Sequence, residues 1–209
     1  LDSENISESK SHAQYLTVMI DELLKVNNIN PHNLDAVAVS AGPGSYTGLR
    51  IGVSVAKAIS YALDIFLIAV PTLEIMLETV LQSDLNIPDN ESNLYIPMID
   101  ARRMEVYQAV YTADRKTLED ISPKILKPDA YQKLLNNHKI SIFGSGAEKA
   151  EQIIQHKNAY FIPNIEPQAE YMIPVAINKF YTNDFEDTAY YEPFYLKDFQ
   201  ATTPKNKLF

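Results

Sequence analysis

The chain has 209 residues, 46% hydrophobic and 22% charged, which is ordinary for one large globular domain or two small ones. Its net charge of −9 excludes nucleic-acid binding through the overall field of the chain, since unaided binding would need a local basic patch. The lack of cysteine excludes disulfides, thiol catalysis and cysteine-bound zinc. No apolar stretch is long enough for a membrane span and no leader opens the chain, so a cytoplasmic protein without a membrane partner is expected.

The first third of the chain predicts a helix followed by a βαβ unit. Ser11 and Gln14 have capping-box spacing, and the apolar residues that follow at helical spacing predict a helix over Ser11–Val26. The short apolar runs at 34–41 and 65–71 are typical of buried strands, and a helix is predicted between them at Thr47–Leu63. A strand, a helix and a second strand in so short a stretch favour two parallel strands with a right-handed crossover.

A domain boundary is predicted in the polar connector at 83–93, which follows a predicted helix at Thr72–Gln82. The first domain is therefore 1–93 and the second is 94–209, with a loose tail at its end. In the second domain, strands are predicted at LYIPMID and MEVYQAVYT, and ADRK is predicted as a turn to a neighbouring strand. A helix is predicted at Asp129–Asn137, and ISIFGSGAEKAEQII predicts a strand, a glycine turn and a helix.

The glycine-rich run AGPGSYTGLRIG, residues 41–52, does not match the known phosphate or nucleophile loops. A Walker loop needs Gly-Lys at its end, whereas Gly48 is followed by leucine and arginine. The dinucleotide fingerprint is one residue out of register after Gly44, and proline stands where a nucleophile elbow around Ser45 would need glycine. Metal binding is not indicated either, because the histidines are scattered singly at positions 12, 32, 138 and 156.

The helix that follows the glycine-rich run is apolar around most of its circumference. Its polar stripe is thin and consists of Arg50, Ser54, Lys57 and Tyr61. Such a helix is covered on more than one side, by its own sheet and by another helix, domain or chain. Gly48 and Gly52 lie four residues apart and share a face, which suits either packing on the sheet or the close approach of a second helix.

SAGPGSYTGLRIGVSVAKAISYALDIFLIAVPTLE closely resembles the signature stretch of the TsaB (YeaZ) family, and HAQYLTVMIDELL and IDARRMEVYQAVY extend the similarity to about Tyr111. The resemblance implies an actin-like (ASKHA, ribonuclease H-like) α/β fold with two lobes, 1–93 and 94–209. The family normally opens with a β-hairpin and an Asp-Thr-Ser loop. Because the given sequence starts close to the first helix, the first lobe is expected to lack that hairpin here and to leave a sheet edge open.

The resemblance implies a non-catalytic subunit of the complex that makes threonylcarbamoyladenosine in tRNA. This subunit is expected to act by dimerising with TsaD. TsaD carries a comparable loop and then a metal-binding histidine motif, whereas VPTLEIMLE at 70–78 has no histidine. It further implies docking of the ATPase TsaE, a homodimer when the chain is alone, and contact with tRNA only through the complex. The partner interface is expected on the first two helices, at His12, Leu16, Met19, Leu23, Gly48, Arg50, Gly52, Ser54 and Lys57.

The alternative is a stand-alone actin-like ATPase or a glycoprotease-type peptidase. For a nucleotide, the remaining candidate is the turn at Gly144, Ser145 and Gly146, although a strand-to-helix turn needs small residues in any case. No bound cofactor is expected, but ATP or ADP could lie at the interface with TsaD. Asp100, beside Arg102 and Arg103, suits either a ligand-orienting carboxylate or a surface ion pair.

Overall fold

The computed structural model describes residues 2–5, 12–83 and 93–196, with the backbone alone at 12–14. The α-helices of the described residues are α1 His12–Val26, α2 Tyr46–Leu63, α3 Thr72–Gln82, α4 Gln132–Leu135, α5 Ala147–Glu151 and α6 Ile173–Tyr181. The strands are β1 Ala36–Gly42, β2 Phe66–Pro71, β3 Leu94–Asp100, β4 Glu105–Thr112, β5 Thr117–Ile125, β6 Ile140–Phe143 and β7 Ala159–Ile162. Within the described ranges no helix is long and apolar enough to cross a bilayer.

A small parallel sheet and helix α2 form the predicted βαβ unit. β1 and β2 pair in parallel, with Ala36 opposite Phe66 and Ser40 opposite Val70. Helix α2 begins where the Ser45 hydroxyl accepts a hydrogen bond from the Gly48 amide at 3.3 Å. The parallel pairing predicted from the two apolar runs is therefore confirmed.

The second sheet has five strands in the order β5-β4-β3-β6-β7. β3, β4 and β5 are antiparallel neighbours, so the predicted ADRK turn is confirmed as a hairpin turn. β3, β6 and β7 are parallel. Strand β3 lies at the centre of the sheet and is buried along most of its length, as a strand covered on both faces should be.

Helix α3 lies between the two sheets and has the bounds that its sequence predicts. Eight of its eleven residues are buried. Leu73, Met76 and Leu77 pack with residues of the large sheet, whereas Ile75 packs with the small sheet and α6. Glu78, only 1% exposed, forms an ion pair with Arg115, which keeps a buried carboxylate from being left without a partner.

Sequence reasoning missed two elements of the second half and overestimated a third. Neither β7 nor α6 is predicted from the Tyr- and Pro-rich sequence after residue 155, and the helix predicted at Asp129–Asn137 has only four residues. Helix α6 packs against β2 of the small sheet through Val175, Ala176 and Phe180. The division of the chain at residues 93 and 94 stays a prediction. Ser11, most of the connector at 83–93 and the whole predicted tail at 201–209 lie outside the described residues.

Candidate partner-binding face and the adjacent cleft

Helix α1 carries apolar side chains that its own chain does not bury. None of residues 15–26 is buried, although α1 packs against α2. The predicted contact residues Leu16, Met19 and Leu23 are half-buried. Tyr15 and Val18, which sequence reasoning did not select, are 49% and 47% exposed. A helix in this state has apolar surface available for a further layer. The side chain of His12 lies outside the described residues.

Helix α2 buries one narrow stripe, consisting of Leu49, Val53, Ala56 and Ser60. Gly48, Arg50 and Ser54 are exposed, and Gly52 is half-buried. Tyr61, at the end of the predicted polar stripe, is 85% exposed. The exposed surfaces of α1 and α2 together are called the α1–α2 face below.

The polar stripe of α2 has partners within the chain. Residues 184–195, here called the C-terminal strap, pass along α2. Lys57 Nζ donates to the carbonyl oxygens of Ala189 at 3.1 Å and Tyr191 at 2.9 Å. Arg50 Nε donates to the Tyr195 hydroxyl at 3.3 Å, although Arg50 remains exposed. Lys57, predicted as a partner contact, therefore also holds the strap, a role with no signal in the sequence around it.

The glycines of α2 face a cleft between the two sheets. Gly44, Gly48 and Gly52 line a cavity of about 570 Å³, and Ser145 lies on its other side. A Cβ added at Gly52 would lie 3.5 Å from Val39 Cγ2, which is an ordinary contact. A Cβ at Gly48 would come no closer than 3.4 Å to any neighbouring atom. Packing within the chain therefore does not require glycine at either helical position.

The predicted nucleotide turn is explained by packing. A Cβ at Gly144 would overlap Met76 Cε and the Met98 carbonyl, and one at Gly146 would lie 2.7 Å from Val106 Cγ1. The Ser145 hydroxyl accepts a hydrogen bond from the Asp100 amide at 3.1 Å. Nucleotide binding at Gly144, Ser145 and Gly146 thus stays a prediction, because close packing alone explains why the two glycines are there.

The side chains of the cleft lining are poorly suited to a nucleotide polyphosphate. Its polar side chains are hydroxyls, including the Ser40 and Thr72 pair at 2.7 Å, and the carboxylate of Glu166. No lysine, arginine or histidine of the described residues lines it. A carboxylate repels phosphates and no basic side chain offsets it, so phosphate binding here would depend on the backbone amides at the N-terminus of α2, where Ser45 and Gly48 line the cleft. Across 2–5, 12–83 and 93–196 there is also no group of three acidic or histidine side chains placed to hold a metal.

A second cavity, of about 490 Å³, lies under the strap. Lys179, Glu186 and Tyr191 line it together with the ends of β1 and β2. Burial raises the pKa of Tyr191 to about 12, and its hydroxyl has no hydrogen-bond partner among the described residues. The tyrosine therefore stays neutral near pH 7.

The sequence suits Asp100 either to orienting a ligand or to forming a surface ion pair, and the structure shows an ion pair. Lys149 Nζ lies 2.7 Å from Asp100 Oδ1, and the Arg102 amide donates to the same oxygen at 2.6 Å. Burial raises the pKa of Asp100, but the hydrogen bonds from Lys149 and the Arg102 amide together lower it by more. Asp100 is therefore ionised at neutral pH and anchors the start of the β3–β4 loop.

The βαβ unit, the five-stranded mixed sheet, the helix α3 between them and the adjacent cleft define a protein of the actin-like class. Residues 6–205 match the model of the TsaD family, described as tRNA N6-adenosine threonylcarbamoyltransferase, and the chain belongs to that family. A solved structure titled as an uncharacterized protein with similarity to peptidase YEAZ, from Pseudomonas aeruginosa, has the same fold. Its TM-score is 0.78 at 24% identity, over 90% of this chain and 85% of that one.

The curated relatives place the chain in the TsaB (YeaZ) group, as its motifs predict. A tRNA threonylcarbamoyladenosine biosynthesis protein TsaB from Buchnera aphidicola subsp. Baizongia pistaciae is 30% identical, over 82% of this chain and 77% of the relative. TsaB from Bacillus subtilis is 35% identical over 54% of this chain, and that match spans 46% of the relative. A tRNA N6-adenosine threonylcarbamoyltransferase from Bacillus thuringiensis strain Al Hakam is 45% identical over 62 residues, 30% of this chain and 18% of the enzyme.

Proposed function

We propose that this chain is a non-catalytic subunit of the bacterial complex that transfers a threonylcarbamoyl group to the adenosine beside the anticodon in tRNA. It acts by pairing with TsaD through the α1–α2 face. The observation that carries this proposal is α1, a helix rich in leucine, methionine and valine with no buried side chain among residues 15–26. An apolar helical layer left half-covered on a stable domain is typical of a subunit interface.

The lining of the cleft supports a non-catalytic role. Group transfer needs titratable or metal-binding groups that converge on one point. In the described cleft Glu166 is the one ionisable side chain, and it is exposed. We therefore assign the chemistry to the partner, and expect any ATP or ADP at the interface to be held by TsaD rather than by this cleft.

The remaining parts of the proposal concern assembly. The α1–α2 face would join two copies of the chain when TsaD is absent, because one apolar face cannot serve both partners at once. TsaE would bind the assembled pair, and tRNA would be held by the complex in the cytoplasm. The lobes of this subunit would be 1–93 and 94–209.

Calorimetry with purified TsaD tests the pairing. Val18→Glu places a charge on the α1–α2 face at an exposed site, so it should leave the fold intact and weaken association at least about tenfold. Ile125→Glu is the matched control, because Ile125 is an exposed apolar residue on the large sheet. Arg50→Glu should also weaken association, while releasing the Tyr195 hydroxyl.

The modification assay tests the role. TsaD should modify tRNA with this chain present and fail without it, and Val18→Glu should lower the yield in parallel with its affinity. The proposal would be refuted if the wild-type chain did not bind TsaD, or if it modified tRNA or cut peptide bonds alone.

A further inference from the structure

The β3–β4 loop, residues 101–104, presents two arginines on a backbone that most residues avoid. Arg102 and Arg103 have φ values of +66° and +51°, and both side chains are exposed. A left-handed backbone costs a non-glycine residue roughly 1 kcal/mol or more. Two such residues in succession persist only where their surroundings hold them.

The Lys149 side chain stabilises the β3–β4 loop through three hydrogen bonds. Its ammonium donates to Asp100 Oδ1 at 2.7 Å and to the carbonyl oxygens of Arg103 and Glu105, each at 2.8 Å. Its side chain is only 14% exposed. The Ala101 amide closes the loop by donating to the Glu105 carbonyl at 3.1 Å. Asp100 Oδ1 is thereby paired with Lys149, which offsets the negative charge beside the two arginines.

Among the arginines of this chain, Arg102 and Arg103 are the two whose guanidinium groups form no hydrogen bond or ion pair with the described residues. Of the four arginines in the sequence, Arg50 binds Tyr195 and Arg115 binds Glu78. Neither Arg102 nor Arg103 has a side-chain partner within the described ranges. The loop also lies at the rim of the cleft, because its neighbours Ile99 and Ser145 line that cavity.

We propose that Arg102 and Arg103 contact the phosphodiester backbone of tRNA when the assembled complex holds its substrate. The identity of the RNA rests on the proposed function. A chain of net charge −9 repels a polyanion, so a subunit beside tRNA needs fixed positive groups at the point of contact. The proposed function assigns the protein partner to the α1–α2 face, which leaves the cationic loop for the RNA. The pair Arg102 and Arg103, which the sequence places only beside Asp100, is thus assigned as a contact site for RNA.

Fluorescence anisotropy with the TsaD complex and a transcribed tRNA tests this contact. The probe is a tRNA with unmodified adenosine beside the anticodon, titrated at several KCl concentrations. Arg102→Gln with Arg103→Gln should weaken binding about tenfold and reduce the slope of log K against log salt by about two. Lys133→Gln with Lys157→Gln removes the same charge at exposed sites elsewhere and should change both quantities much less.

The outcomes separate the loop from the proposed function. Calorimetry without RNA comes first, and the arginine and lysine double variants should both bind TsaD as the wild type does. If the arginine variant weakens that protein association, the loop contacts an acidic protein surface and the RNA contact is overturned. Equal effects of the arginine and lysine variants on tRNA would also overturn it, while leaving the pairing with TsaD intact. If the wild-type chain fails to bind TsaD, both proposals fall.

Discussion

The structure contains two strand–turn–helix units that begin alike and differ in what surrounds them. In one, β1 ends at Gly42 and leads to α2; in the other, β6 is followed by Gly144 and leads to α5. Both glycines have positive φ, +107° and +97°. Gly144 lies against the backbone of the central strand β3, whereas Gly42 lies against Phe194 of the C-terminal strap. The same local geometry is thus supported by the core in one unit and by a surface segment in the other.

This difference shows why the glycines of the chain do not all have one explanation. At Gly144 and Gly146 the space for a side chain is already filled by residues of the core. At Gly48 and Gly52 that space is open. A helix interior is a costly place for glycine, so two glycines without an internal reason suggest a reason outside the chain or in the cleft.

The largest expected effect is that of Gly144→Ala. Positive φ and overlap with the Met98 carbonyl and Met76 Cε together should lower the free energy of unfolding by about 3 to 5 kcal/mol. Chemical denaturation measures this loss. Ser145→Ala in the same turn is the control and should cost about 1 kcal/mol, because it removes one hydrogen bond. Equal losses would show that the core does not constrain Gly144.

Gly42→Ala should have a smaller effect, because the strap can move. The added Cβ would lie 2.8 Å from the Phe194 carbonyl oxygen, and positive φ adds strain. We expect a loss of about 2 kcal/mol. The strap should also loosen, since the Phe194 amide donates to the Ala41 carbonyl at 2.8 Å. Hydrogen exchange should therefore rise in 184–195, and unchanged exchange there would contradict the support assigned to the strap.

Gly146→Ala measures the cost of steric crowding by a new methyl group without the strain of a positive φ. Gly146 has φ of −89°, which any residue adopts, so only the contacts with Val106 Cγ1 and Met98 Cβ at 2.7 and 2.9 Å oppose the new methyl group. Overpacking of this kind costs about 1 to 2 kcal/mol. Thermal unfolding alongside Gly144→Ala measures the difference, which contains the cost of positive φ and the cost of the closer contacts at Gly144. A loss as large as that of Gly144→Ala would show that crowding dominates at both positions.

The elements up to Gln82 could be predicted from local patterns, and several of those after residue 93 could not. The spacing of apolar residues around α2 and the runs on either side of it determine a βαβ unit regardless of distant contacts. β7 and α6 have short, Tyr- and Pro-rich sequences and depend on packing against β6 and β2. Lys57 binds strap residues that lie more than 130 positions further along the chain, and no local sequence pattern predicts such a contact. The conformation of the β3–β4 loop could not be predicted for the same reason, since Lys149, which stabilises it, lies in helix α5.

Gly52→Ala should have the smallest effect on stability, and one of opposite sign. Its Cβ would meet only Val39 Cγ2 at 3.5 Å, and alanine is the better helix former, so the free energy of unfolding should rise by about 0.5 to 1 kcal/mol. The same methyl group would narrow the cleft and the space open to a partner helix, so association with TsaD should weaken in calorimetry. Ala58→Gly is the matched control on the exposed side of α2, and it should lower stability by about 1 kcal/mol without changing association. A gain in stability with unchanged binding would place the reason for Gly52 in the cleft rather than at the interface. A loss of stability would show that glycine is needed by this chain's own packing.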